Sequence, residues 1–249
     1  MHRNRYNDDN MKHEIRKILL AFAIPLLILF ILYVLRTMES FMNWDFITWG
    51  IYPREIKGIA GIFTSPLIHA DWGHLFANTL PLLFLSWCLF YFYRDLGFGI
   101  FFFIWLVSGI LTFIIGKPGW HIGASGIIYA LAFFLFFSGI LRKYVPLVAL
   151  SLLITFLYGS LVWNMFPQFA SISTSWEGHL GGAVAGVAAA ILFRNKGPQR
   201  PEPFKDEEDI NIEENTEEED TSNHFFSFCL CHEIQKGYLY PILFFQNIF

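Results

Sequence analysis

The sequence predicts an all-α membrane protein: a bundle of six transmembrane helices followed by a disordered, acidic C-terminal tail. Three observations lead there. Of 249 residues, 55% are hydrophobic, 19% aromatic and only 15% charged, with 29 Phe; soluble domains carry about 25% charged residues. Six stretches approach the ~20 apolar residues needed to cross a bilayer: 18–35, 75–93, 97–116, 123–141, 145–163 and 178–193. Charge is also segregated. Residues 201–220 hold 11 of the 21 acids and one Lys, while the remainder of the chain has a net charge of +6. This composition excludes an ordinary soluble enzyme and a disordered chain. Three cysteines, Cys88, Cys229 and Cys231, are too few for a disulfide-built miniprotein. The scattered bases form no face for nucleic acid, and no nucleic-acid partner is expected.

The domain layout follows: a cytoplasmic N-terminal segment (1–17), a six-span domain (18–195) and a cytoplasmic tail (196–249). The first stretch is long and is followed by Arg-Thr-Met-Glu-Ser with no small-x-small cleavage pattern, so it reads as a retained anchor. Lys and Arg set the orientation. Twelve lie at one level (Arg3, Arg5, Lys12, Arg16, Lys17, Arg94, Arg142, Lys143, Arg194, Lys196, Arg200, Lys205) and four at the other (Arg36, Arg54, Lys57, Lys117). The basic side is cytoplasmic, and both termini are expected inside. The large external loop, 37–73, is rich in aromatic and turn residues and suits the interface. The tail is expected to be solvated over 201–222. It turns apolar over 224–249, where His232, Glu233, Gln235, Lys236 and Gly237 break any span. An interfacial segment or an unstructured end is expected there, where Cys229 and Cys231 are acylation candidates if it reaches the membrane. His224, Cys229, Cys231 and His232 do not have zinc-site spacing, and no metal is expected.

Polar groups at membrane depth are costly and therefore informative. Spans two, four and six all run inward. His74 and Asn78 thus lie at the external end of span two, Ser125 in the first turn of span four and His179 at the external end of span six. A hydroxyl, a base and hydrogen-bond donors at one level are what nucleophilic catalysis needs. Ser125 and Tyr129 share a helix face, as do His74 and Asn78. Gly182 and Gly186 form G-x-x-x-G below His179, and small residues let membrane helices approach closely. Each element has a plainer reading: a packing glycine motif, an interfacial His, an interhelical Asn. G-x-S-G alone arises by chance in about one chain in ten of this length, so it is the combination that carries weight.

That combination resembles the rhomboid intramembrane serine proteases. The resemblance rests on His74-Leu-Phe-Ala-Asn78, on Gly123-Ala-Ser125-Gly126 with Tyr129, and on Gly178-His179-Leu-Gly-Gly182 with Gly186. It covers about residues 15–195 and implies a six-span, rhomboid-like catalytic bundle. It implies Ser125 as nucleophile and His179 as its general base, a dyad with no third member. His74, Asn78 and the Ser125 N–H would form the oxyanion hole. Tyr129 would stack on His179, and Gly123 would let the backbone approach substrate. The implied partners are transmembrane protein substrates and the lipid bilayer, with no cofactor. The implied location is the bacterial inner (cell) membrane, with the site near the external face. One departure is that Trp49 and Arg54 are not the adjacent Trp-Arg pair many members carry in the first loop.

His121 is the rival base, four residues before Ser125; after Pro118-Gly-Trp a surface role is expected for it. His69 is expected at the surface or against the cavity. Pro81 reads as a tolerated kink. The functional alternative is a rhomboid-like protein that binds or remodels membrane clients without proteolysis. A midplane transporter fits poorly, because the polar groups gather at one end. In a cleavage assay with a transmembrane substrate, Asn78→Ala is expected to lower turnover by about 10²–10³-fold. Ser125→Ala is expected to abolish it; residual cleavage by that variant would reject Ser125 as nucleophile.

Overall fold

The first helix, α1 (His2–Met42), runs well past the 18–35 stretch, because no Gly and only one Pro, Pro25, interrupts its helix-forming residues. Asn43 ends it in the left-handed conformation (φ 52°), and the Trp44 N–H returns to the Glu39 carbonyl. The computed structural model describes residues 2–143, 145–157, 163–169 and 175–198. The chain divides into two compact units, 1–199 and 200–249. The acidic and apolar parts of the tail, with Cys229 and Cys231, lie outside the described residues, as do 158–162 of span five.

After α1 come three short 3-10 turns (Ile47–Trp49, Ile56–Gly58, Ser65–Leu67) and the one-turn α2 (Gly61–Thr64). The longer helices follow: α3 (Trp72–Phe92), α4 (Gly97–Ile115), α5 (Ser125–Arg142), α6 (Val145–Leu157) and α7 (Trp176–Leu192). Among the described residues, regular structure is helical apart from one antiparallel bridge between Ile51 and His121. Four helices among the described residues are long and apolar enough to cross a membrane: Glu14–Met42 within α1, α3, α4 and α5. The 17 residues of α7 rise about 25 Å.

Helix α5 is the central one. Its most apolar window is 61% buried, against 22% for α1. It packs against α3, α4, α6 and α7. Leu75, Leu82, Leu85 and Leu89 of α3, Ile100 and Ile104 of α4, and Phe134 and Leu135 of α5 fill the core. Phe76, Phe98, Phe102, Ile114, Phe156 and Leu192 point outward, which accounts for much of the apolar excess of the sequence. A lipid-facing helix surface needs such residues.

Helices α5 and α7 approach each other closely. A Cβ on Gly182 would lie 2.1 Å from the Gly126 carbonyl oxygen, and one on Gly186 would lie 2.3 Å from that of Ala130. Ala185 and Ala189 continue the small face and are fully buried. At the far end the buried Arg142 guanidinium donates to Ser138 and to the Phe193 and Lys196 carbonyls, so α5 caps the end of α7. Tyr93 of the α3–α4 corner bonds Ser138, and its ring lies 5.3 Å from the Arg142 guanidinium.

The loop before α3 is folded onto the α4–α5 connection. Ile51 and His121 exchange two backbone bonds of 2.8 and 2.9 Å. Arg54 donates to the Gly116 carbonyl at 3.0 Å, while Trp49 stays half-exposed beside Phe46, 5.3 Å between rings. The separated Trp49 and Arg54 therefore serve different contacts.

Gly186→Val should force α5 and α7 apart. Overpacking of this kind costs about 1–3 kcal/mol, expected as a fall of several degrees in the melting midpoint of the detergent-solubilised protein. Val184→Leu, on the half-exposed face of the same helix, should leave the midpoint unchanged.

Candidate active site

Three helix starts meet at one end of the bundle. Asp71 caps α3 by accepting the His74 N–H at 2.8 Å. Ser175 caps α7 by accepting the Gly178 N–H at 3.1 Å. Helix α5 begins at Ser125 itself, after Gly123 turns the chain with φ +108°, a conformation suited to glycine. His74, Ser125 and His179 thus all sit within the first turns of their helices. Together with Asn78 and Tyr129 they line a cavity of about 520 Å³.

Ser125 Oγ and His179 Nε2 are 2.9 Å apart. The other ring nitrogen, Nδ1, is 2.9 Å from the Asn164 carbonyl oxygen. A carbonyl only accepts, so Nδ1 carries the proton and Nε2 is left with its lone pair facing the serine hydroxyl. The Tyr129 ring stacks on the imidazole with centroids 4.3 Å apart and an interplanar angle of 12°. His179 is buried at 6% exposure, with one ring face against Tyr129 and both nitrogens engaged.

Beside the serine is a second feature. The point a Gly123 Cβ would occupy lies 2.8 Å from His74 Nε2 and 3.8 Å from Asn78 Nδ2. Any side chain there would fill the space between these donors. Asn78 Nδ2 is buried and has no hydrogen-bond partner among the described residues. Buried donors are seldom left unpaired, so this amide fits a site that a ligand oxygen completes.

The structure therefore brings Ser125, His179, Tyr129, His74, Asn78 and Gly123 together, with Gly182 and Gly186 one and two turns below on α7. His121 is not the surface residue expected. It is half-buried and borders the same cavity. Its Nδ1 bonds Ser175 Oγ at 2.5 Å and its Nε2 bonds the Lys117 carbonyl at 2.8 Å. The Ile51 bridge draws it inward, and both its nitrogens are engaged away from Ser125. His69 is buried behind His74 rather than facing the cavity. Pro81 lies inside α3 and forms part of the cavity wall. Two contributors escape sequence reasoning. Asn164 acts through its backbone, which leaves no residue signature. Ser175 was readable as a helix-start signal before the apolar run of α7.

The tautomer is open to direct test. In ¹⁵N-histidine-labelled protein at neutral pH, His179 should show a protonated-type Nδ1 and an unprotonated-type Nε2 signal, assigned through a His179→Gln control. The reverse pattern would remove the lone pair from the serine.

A family model described as Rhomboid domain matches residues 57–196. Uncharacterized proteins of Mycobacterium tuberculosis and Mycobacterium bovis are each 39% identical over 163 residues, covering 61% of this chain and 65% of theirs. An uncharacterized protein of Mycobacterium leprae is 32% identical over 178 residues, covering 68% of this chain and 69% of its own. The chain thus spans 65% of the length of the first two relatives. With a Rhomboid domain matched over more than half of its length, on a bundle of apolar helices, the chain belongs to the rhomboid family.

Proposed function

We propose that the chain is an intramembrane serine endopeptidase that hydrolyses a peptide bond of transmembrane protein substrates near the external membrane face. The observation that carries this reading is the 2.9 Å approach of Ser125 Oγ to a His179 Nε2 whose other nitrogen is held by a carbonyl. Ser125 Oγ attacks the scissile carbonyl carbon as its proton passes to His179 Nε2. His74, Asn78 and the Ser125 N–H receive the oxyanion beside Gly123. The imidazolium then gives its proton to the departing amine, the C–N bond breaks, and an acyl-enzyme remains. A water activated by His179 attacks that ester, and the proton returns to Ser125.

The cavity supports the second half-reaction. At about 520 Å³ it is far larger than the ~10–15 Å³ one water needs, and its walls are substantially polar. The substrate helix has to unwind locally, since a helical peptide bond is shielded and internally bonded. Gly or Pro near the cleavage point in the substrate favours this. The proposed layout is residues 1–17 and 196–249 in the cytoplasm and a six-span body over 18–195, in a bacterial inner membrane.

Purified protein in detergent micelles is expected to label with a fluorophosphonate probe, and Ser125→Ala or His179→Ala to abolish labelling. His121→Ala should still label. Labelling that never occurs, or that survives Ser125→Ala, would favour a non-proteolytic role in binding membrane clients.

A further inference from the structure

The residues leading into α5 dispose of their backbone N–H groups unequally. Gly123 donates to the Ser65 carbonyl at 2.9 Å. Ala124 donates to His69 Nε2 at 3.4 Å. Ser125, at the first helical position, has no intrahelical acceptor; the Ile128 N–H is the one that reaches back, to the Ala124 carbonyl at 3.1 Å. Both acceptors belong to the segment that precedes α3. That segment therefore decides which N–H is left for a ligand.

His69 is the side chain in this arrangement that the chemistry above does not use. It is 2% exposed. Its ring meets His74 edge-on, centroids 5.0 Å apart at 64°. Its carbonyl receives Arg36 Nη1 at 3.5 Å, and Arg36 is paired with Glu39 at 2.6 Å, which ties the residue back to α1. Its Nδ1 forms no hydrogen bond of good geometry, although the Leu67 backbone stands beside it. The ring has to be neutral to accept from Ala124. Burial first, then the adjacent His74 and, more weakly, Arg36 bring its pKa down to about 3 against the opposing pull of the Leu67 backbone and Asp71. With its proton on Nδ1, the neutral ring presents the Nε2 lone pair to the Ala124 N–H.

We propose that His69 is a positioning residue for the reaction. By accepting the Ala124 N–H and backing the His74 ring, it fixes the two sides of the oxyanion cradle, Ser125 N–H and His74, in one geometry before substrate arrives. An aliphatic or phenyl side chain could fill the same space but could not accept the N–H. The Gly123–Ala124 peptide plane would then lose its anchor, which loosens the φ of Ala124 that joins it to the plane bearing the Ser125 N–H. The inference rests on the Ser125–His179 reading.

The test compares His69→Gln, whose amide oxygen can reach the Ala124 N–H, with His69→Leu, which has no acceptor. The readouts are the rate of fluorophosphonate labelling, kcat and KM on a transmembrane peptide, and the melting midpoint. His69→Leu is expected to lower labelling rate and kcat by about 10–100-fold with KM within about two-fold. His69→Gln should stay within about three-fold of the unsubstituted protein. Equal activity of both variants with the unsubstituted protein would overturn the proposal. So would losses in both that track their melting midpoints, or failure of both to fold, since the role would then be packing alone. If only His69→Leu fails to fold, His69→Gln decides: normal melting with labelling slowed ten-fold or more overturns the proposal. Absence of Ser125-dependent labelling in the unsubstituted protein would overturn the proteolytic reading and this inference together. Normal labelling with no His69 effect would overturn this inference alone.

Discussion

The carbonyl oxygens of Gly126 and Ala130 lie where side chains at positions 182 and 186 would have to be. In a bilayer the apolar surroundings offer no drive for apolar helices to associate, so contact depends on packing at close range. Glycines on α7 permit that range, and the approach also fixes rotation. His179, Gly182 and Gly186 follow one another at three and four residues, so they share a face of α7. Ser125 and Tyr129 share the corresponding face of α5. Bringing the glycines onto the α5 backbone therefore turns the imidazole toward the hydroxyl and the phenol ring. A side chain on either glycine would move the whole helix, and the 2.9 Å contact at its start would open with it.

Both ends of this helix pair are pinned by polar groups. Arg142 reaches from the last turn of α5 to the Phe193 and Lys196 carbonyls beyond α7. At the opposite end Ser175 caps α7 and bonds His121, which is bridged in turn to Ile51. A charge buried at 4% exposure is tolerated because several carbonyl and hydroxyl acceptors surround it. Asn78 Nδ2 is different: it has no partner among the described residues, and it points into the one large polar cavity described. The bundle spends its polar contacts on register and leaves a donor open at the candidate site.

Side-chain chemistry was legible in the sequence, and backbone chemistry was not. Ser125, His179, His74 and Asn78 stood out because polar groups are rare within apolar stretches, and charge asymmetry put them at one level. Gly182 and Gly186 stood out by spacing. The Asn164 carbonyl did not, because a main-chain acceptor looks the same at every residue. His121 was expected outside because Pro118 and Gly119 precede it, yet a backbone bridge to a distant loop residue draws it in. Such pairings between remote segments leave no local pattern. The end of α1 was missed for a related reason: helix propensity continues after hydrophobicity stops, and the left-handed Asn43 is the only local stop.

Holding the base by a carbonyl has a chemical consequence for the proposed reaction. In a serine–histidine–aspartate triad, a buried carboxylate both orients the imidazole and stabilises the imidazolium that forms. The Asn164 carbonyl supplies the orientation with only a dipole. Part of the missing stabilisation comes from the Tyr129 ring, whose face lies 4.3 Å from the imidazole and attracts a cation. The nearest candidate for a charge on the same helix, Glu177, is buried but faces Lys117 at 3.6 Å, which offsets its field. A formal carboxylate beside the base would need its own desolvation at membrane depth. A dipole and an aromatic face avoid that cost. On the proposed reading, the low-dielectric setting itself favours a two-residue catalytic unit, and the donors gathered around Gly123 must carry a larger share of the stabilisation than they would beside a full triad.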